Sequence, residues 1–200
     1  MAFTAAMAGS APAQPVDPDW PCIQRKVVHL SWGQMWTGPA LPESNRAWRD
    51  DAELTDLVAR LAPRRTTIEE AGALVEALGP AGERTRDERL VALFAGVFDR
   101  IDAERARIVR GIVTLAQRER ARSERIELMR GEVATLAAAA KPDDFDALDR
   151  IEELEDEIGW ETRIYDDRRR SLTFVCESPV LLEKRAFALA RVIQGALGDG

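Results

Sequence analysis

Cys22, His29 and Met35 lie in the stretch "PCIQRKVVHLSWGQMW". A thiolate, an imidazole and a thioether together make a donor set that copper accepts. The same region holds Trp20, Trp32 and Trp36, three of the five tryptophans in the chain. Two readings compete. In one, His29 and Met35 serve a periplasmic copper or haem carrier. In the other, the stretch is a hydrophobic clamp closed by Trp20, Trp32, Trp36 and Trp48, each able to bury about 150–250 Å². The spacing follows no copper signature, and a bonded cysteine cannot ligate. The clamp is therefore preferred, with no metal or cofactor assigned.

The cysteines bear on the same choice. Cys22 and Cys176 are the only two in the chain. In an exported protein such a pair is expected to bond, and a loop this long contributes about 4–5 kcal/mol in the chain-entropy description. The opening "MAFTAAMAGSAPAQ" is small and apolar, and Ala11-Pro12-Ala13 has the form that signal peptidase accepts. No Lys or Arg precedes Arg25, so the usual basic start of a leader is missing. Residues 1–16 are set aside as a leader or tail, and a periplasmic or secreted location is expected.

A second constellation is ionic. "QRERARSER" interrupts an otherwise apolar stripe and turns Glu119 and Arg122 inward, while Glu161 and Arg168 fall on the facing helix. Crossed Glu–Arg pairs at such a seam weaken it but set its register. Docking of another protein at this waist is the sharper alternative. The run "DDFDALDRIEELEDE" sets nine acids against one arginine and is expected to face the arginine-rich stretch from Arg118 to Arg130. It lacks the glycine and alternating ligands of a calcium loop, so it reads as a solvated face.

Catalysis finds no constellation. The chain has one histidine and no nucleophile elbow, phosphate loop, dinucleotide fingerprint, HExxH or paired CxxC. No enzyme and no small-molecule substrate are expected. A formal charge of -7 argues against a nucleic-acid partner.

The elements that must position these residues are helical. Ala, Arg, Glu and Leu dominate and β-branched residues are sparse. Residues 17–48 are rich in Pro, Gly and Trp and read as irregular chain, with one short helix between His29 and Trp36. Two short helices follow, one capped by Asp and ended by Pro63. The other is preceded by two overlapping capping-box patterns, Thr66 with Glu69 and Thr67 with Glu70. From about Thr85 no proline appears until Pro142, which predicts one helix of more than 50 residues. Leu90, Phe94, Val97 and Ile101 begin its seam, and Ile126, Met129, Val133 and Leu136 resume it. After a turn at Lys141–Pro142, Ile151, Ile158, Tyr165 and Leu172 stand seven apart. A separate final helix is predicted after Pro179, packing on the base. Contact with a membrane surface, through Lys184, Arg185 and Arg191 on a polar side, is the weaker alternative.

The expected fold is all-α: a long antiparallel coiled-coil hairpin with a base of short helices and an irregular N-terminal segment. Residues 17–82 and 83–200 are expected to form one unit. The expected role is that of a non-catalytic scaffold, adaptor or accessory subunit in the bacterial envelope, acting on another envelope protein or by self-association through the hairpin.

Overall fold

The computed structural model describes residues 17–41 and 47–198; the leader reading of residues 1–16 concerns positions outside these. The described chain is all-α, built from four helices without a β-strand: α1 (Ala52–Leu61), α2 (Ile68–Glu76), α3 (Arg86–Ala139) and α4 (Phe145–Gly195). Each begins where a short polar side chain satisfies an otherwise free N–H. Asp51 accepts from the Leu54 amide at 3.1 Å to start α1. Of the two overlapping capping boxes, the chain uses Thr67 with Glu70, and the Thr66 hydroxyl instead donates to the Arg60 carbonyl. Thr85 and Glu88 form the box that opens α3. The Asp144 carboxylate accepts from Ala147 to open α4 after the turn.

α3 has 54 residues and α4 has 51. At about 1.5 Å per residue each is some 75–80 Å long. They pack along each other as an antiparallel hairpin. Its base carries most of the apolar interior: Leu90, Phe94 and Ile101 of α3, Leu182, Leu189 and Ile193 of α4, and Leu54, Leu61 and Val75 from the short helices. Toward the tip the interior thins to Ile126, Met129 and Leu154. The short helices exist because this base needs cover. α1 presents Leu54, Leu57, Val58 and Leu61 along one stripe, and all four are buried.

Two sequence expectations change. Pro179 does not divide the return segment: α4 runs unbroken through it to Gly195. Proline removes one N–H, leaving the Val175 carbonyl without its usual helical donor. Buried packing of Cys176, Pro179 and Leu182 on both sides of that point keeps the helix continuous. The predicted helix between His29 and Trp36 is only a single 3-10 turn, Trp32–Gln34.

Glycines in the long helices divide by surroundings. A Cβ at Gly96 would lie 2.6 Å from Val58 Cγ2 and 2.8 Å from the Trp48 ring, so the hydrogen there lets α1 and Trp48 approach α3. A Cβ at Gly111 would meet nothing within 4 Å. Gly111→Ala is expected to raise stability by about 0.8–1 kcal/mol through helix propensity. Gly96→Ala is expected to lower it by about 1–3 kcal/mol through overpacking. Urea denaturation of both variants checks the opposite signs; a shared sign would show that the Val58–Trp48 contact yields freely.

Candidate functional site

An irregular strap, residues 17–41, runs along the hairpin and is fastened at five levels. Nearest the tip, Arg120 donates to the Pro18 carbonyl and sits 2.9 Å from Asp19, while Gln117 donates to Asp19 at 2.7 Å. Next, Cys22 is bonded to Cys176 of α4, with their Cα atoms 5.6 Å apart. Below that, the buried Arg105 of α3 donates to the carbonyls of Val27 on the strap and Pro179 on α4. Asp102 then binds the strap twice, to the Leu30 amide at 2.7 Å and to His29 Nδ1 at 2.8 Å. At the base Trp36 stacks on Phe94 with ring centroids 4.1 Å apart.

The four clamp tryptophans therefore have different fates. Trp36 and Trp48 are buried, Trp20 is half-buried, and Trp32 stays 43% exposed. Trp32 and Trp36 do not share a buried face, because a single 3-10 turn does not sustain the helical spacing that would align them. Met35 is buried in the base core, and His29 is exposed and held by Asp102. The structure does not gather His29, Met35 and the cysteines into a ligand set, and among the described residues no three His, Cys, Asp or Glu side chains are placed to hold a metal.

At the waist, Arg122 forms a hydrogen-bonded ion pair with Glu161, and Arg125 approaches the other oxygen of Glu161 at 3.6 Å. Arg122 Nε reaches Glu119 at 3.4 Å without hydrogen-bond geometry. Glu119 is only 7% exposed and its Oε2 has no hydrogen-bond donor. Arg168 does not join them. It is exposed, with no ion pair among the described residues, and Tyr165 and Arg169 line the hollow beside Glu119 instead. Tyr165, three residues earlier, takes the inward place on this stretch of α4, and Arg168 falls at the solvent edge of the seam. Arg122→Ala would leave the buried Glu119 without its nearest cation and Glu161 with Arg125 alone, and is expected to cost about 2–3 kcal/mol. Arg168→Ala is expected to stay within about 0.5 kcal/mol. Thermal unfolding of the two variants separates them.

The acidic run and the arginine-rich stretch face each other less than expected. Arg150 bonds Glu132 across the hairpin at 3.1 Å, but Arg130 pairs with Glu127 on its own helix. Asp146, Asp149, Glu152, Glu155, Asp156 and Glu157 make no ion pair among the described residues. The inward positions of that segment belong to Leu154 and Ile158, so most of its acids point outward. The same outer surfaces expose Leu128, Phe145, Trp160 and Phe174.

Three arginines are buried, two of them, Arg89 and Arg105, not singled out by the sequence. Arg89 binds Asp51, Glu53 and the Gly79 carbonyl; Arg105 joins strap to hairpin; Arg185 donates to the carbonyls of Leu61, Ala62 and Thr66 at the end of α1. Arg185 was expected on a polar face of the last helix, yet it is 8% exposed. Burial, followed by the nearby Arg64, pulls its pKa below the usual guanidinium value. Arg105 stands four after Ile101 and Arg185 three after Leu182, so their inward placement was readable. Their carbonyl partners come from remote segments and were not.

The fold and this site define a class: a long helical hairpin whose irregular strap is covalently stapled to its return helix. Among the described residues, no helix is long and apolar enough to cross a membrane. No protein-family model, curated protein or solved structure matches the chain.

Proposed function

We propose that this protein is a non-catalytic scaffold, adaptor or accessory subunit that works through protein–protein contacts of its hairpin in an oxidising compartment of the bacterial envelope. One observation carries the reading. The two long helices continue far past the core of the base, and this distal arm leaves Leu128, Phe145, Trp160 and Phe174 each at least 60% exposed. An arm of this length contributes little to burying the base, but it displays a surface at a distance from it. The Cys22–Cys176 bond supports an exported location, since such bonds persist where thiols are oxidised.

Photocrosslinking in the native host tests the proposal, with the reactive residue placed at Leu128, Trp160 or Phe174 and, as controls, at exposed base positions Glu69 and Arg64. A defined protein partner or second copy captured from the arm and not from the base is the expected result. Capture from the base alone would sink it. So would saturable quenching of tryptophan fluorescence by one equivalent of copper or haem, which would return the carrier reading.

A further inference from the structure

Resting on that reading, we infer that the partner of the arm is a second copy of this chain, docked antiparallel on the outer face of α4 between Phe145 and Phe174. Three aromatic side chains stand exposed on that face: Phe145 at 72%, Trp160 at 60% and Phe174 at 74%. At 3.6 residues per turn they fall within an arc of about 60° around α4, on the side away from the seam residues Leu154 and Tyr165. The strap leaves this side clear. It is bonded to α4 through the buried Cys176, which stands about 160° around the helix from Phe174.

Between the aromatics the same stripe carries charge, and the charge is ordered. Asp149, Glu152 and Asp156 occupy its first half, and Arg163 and Arg170 its second, with Asp167 between them. The positions follow one another in threes and fours, the repeat of a helix-packing seam, although all of these side chains are exposed. Reversed on itself, the stripe is its own complement. A two-fold axis between Gly159 and Trp160 sets Phe145 against Phe174 of the second copy, Asp149 against its Arg170 and Asp156 against its Arg163. Each Trp160 ring then falls on Gly159 of the other copy, where the surface is open: a Cβ at Gly159 would meet nothing within 4 Å. Asp149, Asp156 and Arg163 make no ion pair among the described residues, and Arg163 stands 5.7 Å from the centre of the Trp160 ring. Glu152 meets Asp167 in the one like-charge layer, which Arg170, paired with Asp167 at 2.5 Å, offsets. A parallel pairing would oppose Asp149, Asp156 and Arg163 each to itself, so the order of charge selects the antiparallel copy. The shared face runs about 45 Å, roughly four heptads of helix pairing.

Sedimentation equilibrium of the full disulfide-bonded chain across the micromolar range is expected to show a monomer–dimer equilibrium. Trp160→Ala should weaken the dimer by about tenfold or more, as loss of a central aromatic anchor does. Asp156→Arg and Arg163→Asp should each weaken it by about tenfold or more, since each sets like charges opposite one another at two symmetric places. Mixed one to one, these two variants should form a heterodimer about tenfold tighter than either homodimer, which misfolded chains could not do. A photoreactive residue at 145 should mark the second copy around Phe174. The two positions are about 44 Å apart on one helix, so that link cannot arise within a single chain. A chain that stays monomeric, single reversals that leave the dimer intact, a mixture that does not recombine, or a link from 145 to 145 would each overturn the inference. Capture of a different protein from the arm of a monomeric chain in the host would remove the second copy and keep the broader role. Capture from the base alone, beside an intact dimer of the purified chain, would do the reverse.

Discussion

Reduction of the Cys22–Cys176 bond is expected to lower the stability of the whole chain by about 4–5 kcal/mol. The bond joins positions 154 residues apart, so it removes a large share of the open chain's conformations. Little in the strap replaces it. Between Asp19 and Val27 the disulfide is the principal link to the hairpin, and Ile23 beside it is fully exposed. Guanidinium denaturation with and without a dithiol measures the loss, and a Cys22→Ser, Cys176→Ser double variant should reproduce it without reductant. Hydrogen exchange should accelerate first at residues 20–26. Residues from Leu30 onward stay fastened by Asp102 and by the stacking of Trp36 on Phe94. A change below about 1 kcal/mol would mean that the unfolded chain already holds its ends together.

Arg89→Met is expected to cost about 3–5 kcal/mol, the usual penalty for removing one partner of a buried ion cluster. Arg89 is 1% exposed and ties two segments to α3: the start of α1, through Asp51 and Glu53 of its first turn, and the Gly79 carbonyl after α2. Asp51 does double duty, because it also caps α1 through the Leu54 amide. Removal of Arg89 leaves that carboxylate and a carbonyl without their donor. Asp51→Asn keeps a cap and part of the contact and should cost less. Urea titrations of the two variants rank them, and an Arg89→Met loss under about 1 kcal/mol would show the cluster to be dispensable.

The same cluster sets an acid limit. Burial raises the pKa of Asp51, but hydrogen bonds from Arg89 and the Leu54 amide outweigh it, and the group ends below the usual carboxylate range. A carboxyl depressed in the folded state contributes stability that is present above its unfolded pKa. That contribution fades as pH falls through the folded value. Stability should therefore decline below about pH 4, and Arg89→Met should flatten this limb. Glu88, lowered by its bonds with Thr85, adds in the same direction.

Much of the fold was readable because its determinants are local. Thr85 with Glu88 and Asp144 before Ala147 announce helix starts within three residues. The proline-free run from Thr85 and the seven-residue spacing of the return helix describe two long helices with facing seams, and Lys141–Pro142 marks where they fold back. The cysteine pair was legible from its count alone, since a chain with two cysteines offers a single intrachain pairing.

Other features depended on groups distant in sequence. Pro179 looks like a boundary because local chemistry disfavours it in a helix, yet burial on α3 holds the helix through it. Tryptophan type does not say which ring is covered: Trp36 has Phe94 to stack on, whereas Trp32 faces solvent. Arg168 and Arg122 look alike in the heptad pattern, but only Arg122 meets a carboxylate across the seam. The buried arginines show the division most clearly. By itself, the sequence determined which residues form helices and which stripe of each is apolar, because capping and periodicity act over a few residues. Only the tertiary structure decided which charges go inside, because a guanidinium is buried where remote carbonyls and carboxylates converge to replace its water.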